Sequence, residues 1–319
     1  TQLARLGLFD AKVPRYTSYP TAPHFSTGVQ ARNFETWLQA VPDSSSVSLY
    51  VHIPFCRRLC WFCACRTQGV RSGDPVKSYL GTLADEIRLV AATLPSDVTL
   101  RRLHWGGGTP TLLDPDQIES LAKTISDVLP FADGAEFSVE VDPNEVDDAR
   151  LDALAAAGMN RASIGVQDFD PEIQAVIGRE QSFEITQEVS QKLRARGIHS
   201  LNMDILYGLP FQDKDSIADT TRKLISLNPD RVALYGYAHV PWMAKRQTMI
   251  PEEHLPSSVD RLALYDTARD LFLKADYRAI GIDHFAKAGD GLDTAMQQGK
   301  LRRNFQGYTD DTCDTLIGL

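Results

Sequence analysis

The stretch Val47-Ser-Leu-Tyr-Val-His-Ile53-Pro-Phe-Cys56-Arg-Arg-Leu-Cys60-Trp-Phe-Cys63-Ala-Cys65 joins a strand pattern directly to a cysteine-rich loop. Apolar and polar residues alternate from Val47 to Ile53, which is typical of a strand with one buried face. Four of the five cysteines of the chain then follow within ten residues. This arrangement predicts a metal centre in the loop that follows the strand.

The cysteine spacing favours an iron–sulfur cluster. Three thiolates, from Cys56, Cys60 and Cys63, can hold three irons of a [4Fe–4S] cluster and leave the fourth iron open to a substrate or cosubstrate. Phe62 can shield the cluster or stack on a bound base. A zinc site is an alternative, although zinc sites usually use two ligand pairs separated by a dozen or more residues. Cys65 is a fourth thiol beyond the three that the cluster needs.

Composition narrows the class of protein. The chain has 319 residues, 43% hydrophobic and 24% charged, as in an ordinary globular protein. It has no apolar run of about 18 residues, so we expect no membrane span. Its net charge of −9 argues against nucleic-acid binding. We expect a cytoplasmic monomer without disulfides. Both ends of the sequence also predict a fragment of a longer protein.

Strand patterns alternate with helix patterns along the chain. The predicted strands cover 47–53, 101–105, 137–141, 162–166, 201–205 and 232–234, with a seventh at 277–283. This order predicts right-handed βαβ units and a parallel sheet. We expect an α/β fold, a partial (β/α)6 TIM-like barrel. Its predicted segments are an N-terminal strap and helix at 1–46, the barrel at 47–285, and at 286–319 the start of a C-terminal domain that this sequence lacks.

The predicted strands carry polar residues on one parity. These residues are Tyr50, His52, His104, Glu140, Gln167, Asn202 and Asp204. A closed barrel normally fills its interior with branched apolar side chains, and barrel enzymes do their chemistry at the carboxyl ends of the strands. A polar set near those ends therefore predicts a wet or ligand-filled pocket.

Several short motifs supply candidate binding groups for that pocket. The turn Gly106-Gly107-Gly108-Thr109-Pro110 lets the backbone approach a ligand closely. Glu140, at a strand end, can accept hydrogen bonds from a ribose or an amine. Gln167 and Asp204 can contact ribose hydroxyls, and Arg179 can pair with a carboxylate.

Ten motifs occur in order along the chain. They are RYTSYPTA, YVHIPFCxxLCxFCxC, HWGGGTPT, EVDP, GVQDF, NxDxxYGLP, NPDR, YAHxP, GxDHFA and RNFQGYT. Together they resemble the oxygen-independent coproporphyrinogen III oxidases (coproporphyrinogen dehydrogenases) of the radical SAM superfamily. The resemblance runs from about Arg15 to Leu319. Ala64 departs from it, because the family usually has glycine between the last two cysteines.

The resemblance implies a reaction and its cofactors. The reaction is oxidative decarboxylation of two propionates of coproporphyrinogen III to vinyl groups, giving protoporphyrinogen IX in anaerobic haem biosynthesis. Cys56, Cys60 and Cys63 would ligate the [4Fe–4S] cluster. S-adenosylmethionine would bind the open iron and be cleaved to a 5'-deoxyadenosyl radical. An external electron donor and an external electron acceptor would be needed.

The resemblance also implies which residues bind the cofactors. Those at the first S-adenosylmethionine would be Tyr50, Gly107, Thr109, Glu140, Gln167, Arg179 and Asp204, with Phe62 and Gly108 as further cofactor contacts. A second S-adenosylmethionine would contact Ala238 and Gln306. Arg15 is a candidate for holding a substrate carboxylate, by its charge and position.

Two other functions stay open from the sequence. One is a haem chaperone of the same subfamily, which shares the cluster loop and GGGTP but typically lacks the fourth cysteine, RYTSYPTA and NFQGYT. The other is a radical SAM methyltransferase, whose products would be heavier by methyl groups rather than lighter by carbon dioxide.

Overall fold

The structure, a computed structural model, describes residues 2–9, 18–21 and 24–319. The α-helices α1 to α10 cover Gln2–Arg5, Ala31–Gln39, Asp74–Thr93, Pro115–Val128, Asp148–Ala156, Pro171–Val176, Phe183–Ala195, Lys214–Ser226, Ser258–Lys274 and Gly291–Gln297. The strands β1 to β13 cover Ser46–Ile53, Phe55–Cys56, Gln68–Gly69, Thr99–Gly107, Phe131–Val141, Arg161–Gln167, Ser200–Tyr207, Arg231–Gly236, Tyr277–Ile280, His284–Lys287, Arg302–Asn304, Gly307–Thr309 and Leu316–Gly318.

Nine of the strands form one sheet, in the order β13-β1-β4-β5-β6-β7-β8-β10-β9. Six of them, β1, β4, β5, β6, β7 and β8, are neighbours in chain order and parallel throughout. Helices connect them, as the βαβ rule requires. The predicted α/β fold with six successive parallel strands is thereby confirmed. Within the described residues, β13 and β9 are the edges of the sheet.

The seventh predicted strand differs from the structure. Its pattern at 277–283 predicts one continuous strand, whereas β9 ends at Ile280 and the chain turns back into the antiparallel strand β10. Gly281 has a φ of 63°, a conformation that glycine adopts without strain, and it allows this reversal. The sequence pattern had no signal for β10, because β9 and β10 are each only four residues long.

One face of each parallel strand packs against the helices. The apolar residues of β1, from Val47 to Ile53, are almost completely buried, as are Leu83 and Ile87 of α3. Each such side chain contributes about 2 kcal/mol by leaving water. The alternate residues of these strands are mostly polar and half-buried, and they lie on the other face of the sheet. Strand pairing brings Glu140, Ser163 and Asn202 to the same level on three neighbouring strands.

Charged side chains form a group of ion pairs on the polar face of the sheet, near the amino ends of the strands. Arg231 contacts Asp290 at 2.6 Å and Asp310 at 3.1 Å. Arg102 contacts Asp310 at 2.9 Å, and Arg161 contacts Glu136 at 3.5 Å. We call these residues the base network. These ion pairs agree with the polar pocket that the strand parity predicts. Because they fill the amino end of the sheet, we expect the functional site at the carboxyl ends of the strands.

The helices of the described residues give no sign of a membrane span. Among residues 2–9, 18–21 and 24–319, none of them combines the length and the apolar character that crossing a bilayer requires.

Candidate functional site

A cavity of about 240 Å³ lies at the carboxyl ends of β4, β5 and β6, beneath the cysteine loop. It brings together eleven residues that the sequence singles out. They are Cys56, Cys60, Phe62, Cys63, Gly107, Gly108, Thr109, Glu140, Gln167, Arg179 and Asp204. These residues come from six separate stretches of the chain, so their convergence is a property of the fold.

The cysteine loop is held at its base by a short parallel pair. β2 and β3 align Phe55 with Gln68 and Cys56 with Gly69, which fixes the two ends of the loop against each other. The Gln68 N–H also donates to the Pro54 carbonyl at 2.8 Å. The two ends of the loop therefore lie side by side, next to the end of β1.

The top of the loop is held by two distant segments. The side-chain amide of the buried Gln247 donates to the Phe62 carbonyl at 2.7 Å, and Arg246 donates to the Thr67 hydroxyl at 3.0 Å. On the other side, the Trp61 N–H donates to a backbone carbonyl beside Gly178. A Cβ on Gly178 would lie 2.9 Å from the Trp61 indole, so glycine allows the ring to pack there.

All five cysteines are free thiols, and they differ in exposure. Cys60 is buried, Cys56 and Cys63 are half-buried, and Cys65 is exposed. A hydrogen bond between the Cys63 and Cys65 side chains lowers the pKa of Cys63 and raises the pKa of Cys65. Burial raises the pKa of Cys56. The four thiols of the loop are therefore not equivalent, and Cys63 is the one most readily ionised of the three whose pKa is shifted.

The glycine turn is bonded to the cysteine loop and to Glu140. The N–H groups of Gly108 and Thr109 donate to carbonyls at the end of β1 and in β2, both at 2.8 Å. Glu140 accepts a hydrogen bond from the Gly107 N–H at 3.1 Å. Gly107 has a φ of 110°, and a Cβ on Gly108 would lie 2.5 Å from the Phe55 carbonyl oxygen. Both positions therefore need glycine.

Arg179 spans the floor of the cavity. Its guanidinium contacts the Asp142 carboxylate at 3.2 Å, donates to the Gly165 carbonyl at 3.0 Å and lies 3.6 Å from the Cys60 sulfur. Burial opposes its charge, but Asp142 and Cys60 outweigh this and raise the pKa of Arg179. Its buried Nε has no hydrogen-bond partner among the described residues. A buried donor of this kind is a ready contact for an anionic ligand.

Two further residues at strand ends have unusual environments. Gln167 has a φ of 71°, in the left-handed region that side chains seldom adopt outside functional or turn positions. Asp204 accepts a hydrogen bond from the Asn202 amide at 2.8 Å. Burial raises the pKa of Asp204 to about 6, and the Glu140 carboxylate adds to the rise.

A second cavity, of about 190 Å³, adjoins the first. The two share Glu140, Ser163 and Asp204 as lining residues, and the second extends to Gln306 and down to the base network. His284 also lines it, with its Nδ1 2.7 Å from an Asp283 oxygen. The two cavities together form a continuous polar space between the cysteine loop and the charged base.

Comparison with known proteins decides the family. The model of the radical SAM superfamily matches residues 50–224, more than half of the chain. An oxygen-independent coproporphyrinogen III oxidase from Paracoccus denitrificans is 62% identical over all 319 residues, which make up 71% of that relative. The chain belongs to the oxygen-independent coproporphyrinogen III oxidases.

Other members of this oxidase family agree in sequence and structure. An oxygen-independent coproporphyrinogen III oxidase from Cereibacter sphaeroides is 57% identical over the whole chain and 71% of its own length. The solved coproporphyrinogen III oxidase from Escherichia coli, described as a radical SAM enzyme, is 40% identical with a TM-score of 0.91. That match covers 98% of this chain and 71% of the Escherichia coli chain.

Membership in the radical SAM superfamily implies a [4Fe–4S] cluster and S-adenosylmethionine, and the residues present fit both. Among the described residues, no three His, Cys, Asp or Glu side chains converge on one point as ligands of a single metal ion. A cluster binds each thiolate through a different iron, so its ligands do not need to converge. Cys56, Cys60 and Cys63 all line one cavity, which fits the ligand set of such a cluster. The unpartnered Nε of Arg179 fits the carboxylate group of S-adenosylmethionine.

Three of the predicted site residues that the structure describes lie outside the first cavity. Tyr50 is stacked on His104, with the ring centroids 5.6 Å apart, and its hydroxyl lies 3.0 Å from the His52 Nδ1. Gln306 lines the second cavity. Ala238 is exposed and lines neither cavity, although its carbonyl accepts from Gln247. Arg15 lies outside the described residues.

Sequence reasoning missed the residues that hold the cysteine loop from above. Arg246 lines the cavity, and Gln247 is 1% exposed, yet both lie in a short 3-10 helix, Lys245–Met249, between β8 and α9. Neither position belongs to a periodic pattern or to one of the ten motifs. No local signal could have identified them, because their role depends on a loop that is far away in sequence.

Proposed function

We propose that this chain decarboxylates two propionate side chains of coproporphyrinogen III to vinyl groups, giving protoporphyrinogen IX without oxygen. The observation that carries this proposal is the convergence of three loop cysteines, the glycine turn, Glu140 and Asp204 on one cavity. Identity of 62% to a relative of that name supports the choice of substrate. The proposed balance for each propionate is loss of one hydrogen atom, one carbon dioxide and one electron.

Cys56, Cys60 and Cys63 are the proposed ligands of the cluster. When bound, the cluster and S-adenosylmethionine supply a carbon radical that removes a hydrogen atom from an unactivated propionate, whose C–H is not acidic enough for a general base. The chain contributes the ligands and their placement. The Arg179 guanidinium lies 3.6 Å from the Cys60 sulfur and places a positive charge beside this proposed ligand. Hydrogen bonds from Gln247 and Arg246 hold the loop in one shape.

The residues of the first cavity are proposed to bind the first S-adenosylmethionine. Arg179 would direct its free Nε to the methionyl carboxylate. The carboxylates of Glu140 and Asp204 would accept from the ammonium and the ribose hydroxyls. The other proposed contacts are Tyr50, Phe62, Gly107, Gly108, Thr109 and Gln167. Tyr50 would act indirectly, by holding His104 in place through its stacking on that ring.

The adjoining cavity is the proposed place for a second S-adenosylmethionine. Gln306 lines that space, and Ala238 is the other proposed contact. Arg15 is the proposed partner of a substrate carboxylate. The shared wall of Glu140, Ser163 and Asp204 supports this arrangement, because a ligand in either cavity would contact the same three residues.

The proposal also covers the domain organisation, the location and the electron carriers of the protein. Residues 47–285 would form the radical SAM barrel, 1–46 an N-terminal strap and helix, and 286–319 the start of a C-terminal extension. The protein would act as a cytoplasmic monomer. One external protein would donate the electron that activates S-adenosylmethionine, and an acceptor would take the electron released on decarboxylation.

The test is an anaerobic reaction analysed by mass spectrometry. Protein reconstituted with iron and sulfide would be mixed with coproporphyrinogen III, S-adenosylmethionine, dithionite and a cell extract that supplies the acceptor. We expect protoporphyrinogen IX and 5'-deoxyadenosine, and neither from Cys60→Ala. Deoxyadenosine without change in the porphyrinogen would contradict the substrate. Methylated products would indicate a methyltransferase, and haem retention without either product would indicate a chaperone.

A further inference from the structure

The cysteine loop carries a local excess of positive charge in an acidic chain. Residues 54–73 contain Arg57, Arg58, Arg66 and Arg71 but no Asp or Glu, whereas the whole chain has a net charge of −9. All four side chains are exposed. We call them the loop arginines. A cluster of one charge sign on a protein of the opposite sign marks a surface that attracts a partner selectively.

Most of this charge is not neutralised within the chain. Arg57 contacts the Glu145 carboxylate at 3.0 Å. Arg58 donates to the backbone carbonyl of Glu180, a contact that leaves its charge in place. Arg66 and Arg71 form no ion pair with any residue in the described part of the chain. Arg66 and Arg71 therefore differ from Arg57 and from the other surface arginines here that pair with a neighbouring carboxylate.

A patch of exposed apolar side chains belongs to the segment that holds the loop. Trp242 is 76% exposed, Met243 77% and Met249 57%. Arg246 and Gln247, between them in sequence, are hydrogen-bonded to the loop itself. Trp, Met and Arg are the residue types enriched in protein interfaces. The combination of an apolar patch with arginines fits a protein partner better than it fits a small ion.

We propose that this face, the loop arginines with Trp242, Met243 and Met249, docks an acidic one-electron carrier protein. The inference rests on the proposed function, which requires an electron from outside the chain for each cleavage of S-adenosylmethionine. The loop that bears these arginines also bears the proposed cluster ligands Cys56, Cys60 and Cys63, so a carrier bound to this face would lie next to the cluster. One electron leaves the carrier's cofactor and enters the cluster, and no bond forms or breaks in this step.

Charge reversal in the loop tests the docking face. The probe is a purified flavodoxin, an acidic carrier, titrated anaerobically into the reconstituted protein at about 50 mM and about 200 mM salt. We expect Arg66→Glu with Arg71→Glu to raise the Kd by about tenfold or more and to weaken its salt dependence. Trp242→Ala is expected to raise the Kd by about tenfold with the salt dependence unchanged.

A matched control changes net charge equally at a distance from the loop. Arg222 in α8 and Lys274 at the end of α9 are exposed. Arg222→Glu with Lys274→Glu is expected to change the Kd by less than about twofold. The proposal would be overturned if both double variants lost affinity for flavodoxin equally, or if the variant with Arg66→Glu and Arg71→Glu kept the wild-type Kd. It would also be overturned if the wild-type chain did not bind flavodoxin.

Dithionite separates this inference from the proposed function. With dithionite as reductant, the loop pair is expected to form 5'-deoxyadenosine at the wild-type rate, because dithionite needs no docking face. A raised KM for coproporphyrinogen III under these conditions would mean that the arginines serve the anionic substrate, and the docking proposal would fall. Absence of deoxyadenosine from the wild-type chain would instead contradict the proposed function.

Discussion

The side-chain amide of Gln247 donates to the backbone carbonyl of Phe62 at 2.7 Å, across 185 residues of sequence. The same side chain donates to the Ala238 carbonyl at 3.1 Å and accepts from the Val240 N–H at 2.6 Å. It therefore joins the cysteine loop to the chain that follows β8. Phe62 lies directly before Cys63, so this bond controls where a proposed cluster ligand is held.

Gln247→Ala is expected to loosen the loop and lower iron retention. The substitution removes the hydrogen bonds to the Phe62 and Ala238 carbonyls and to the Val240 N–H, and each lost bond costs about 0.5–1.5 kcal/mol. We expect the free energy of unfolding to fall by about 2 kcal/mol or more in urea titrations, and iron retained after desalting to drop. Gln191→Ala, at an exposed position of α7, should change neither quantity. Unchanged iron retention in Gln247→Ala would contradict the role of this bond.

Gly108→Ala is expected to disrupt the junction between the glycine turn and the cysteine loop. The new Cβ would lie 2.5 Å from the Phe55 carbonyl oxygen, which is backbone and cannot rotate away. We expect the free energy of unfolding to fall by about 3 kcal/mol. Gly81→Ala in α3, where nothing lies within 4 Å of the new Cβ, should raise it by about 0.5–1 kcal/mol. Equal effects at the two positions would refute the packing argument.

Affinity for S-adenosylmethionine is expected to fall as the pH drops through about 6. Burial raises the pKa of Asp204 to about 6, so the carboxylate is ionised above that pH and protonated below it. Glu140 strengthens the rise and His284 opposes it. If the ionised form accepts from the ribose, equilibrium dialysis should show the affinity falling by up to about tenfold for each pH unit below about 6.

Two substitutions separate Asp204 from other titrating groups. Asp204→Asn should bind more weakly at neutral pH and lose the dependence near pH 6. Asp116→Asn, at an exposed position of α4, should keep the wild-type profile. An unaltered pH profile in Asp204→Asn would assign the titration to another group.

Arg231→Met is expected to destabilise the fold strongly through the base network. It leaves the buried Asp290 carboxylate without its Arg231 partner and leaves Asp310 paired with Arg102 alone, and breaking a buried pair costs about 3–5 kcal/mol. Arg269→Met, which removes exposed pairs with Asp266 and Asp270, should cost at most about 1 kcal/mol. Urea unfolding of both variants measures the difference, and similar losses would contradict the importance of burial.

Strand order and strand faces could be predicted from the sequence because both follow from local periodicity. Alternation from Val47 to Ile53 places apolar residues toward the helices, and the opposite, polar parity on later strands places Glu140 and Asp204 in the cavity. Parallel strands align their carboxyl ends at one edge, so residues at those ends meet in space. Eleven of the predicted cofactor and cluster residues therefore line one cavity.

The remaining features depend on contacts between distant residues. The antiparallel strand β10 is too short to show a period, and Gln247 has no pattern that links it to Phe62. The charged base joins Arg231 in β8 to Asp290 and Asp310, which lie in separate turns. A single sequence shows that such residues are charged or polar, but it does not show which of them will meet.

The shape of the cysteine loop is imposed from outside the loop. Its ends are fixed by β2 and β3, its Trp61 rests on Gly178, and its top is bonded to Arg246 and Gln247. A synthetic peptide of residues 54–70 would carry every cysteine of the loop and the β2–β3 pair, but it would lack Gly178, Arg246 and Gln247. We expect such a peptide to bind iron in a mixture of arrangements, so a minimal mimic of this centre would have to include the segments that carry these three residues.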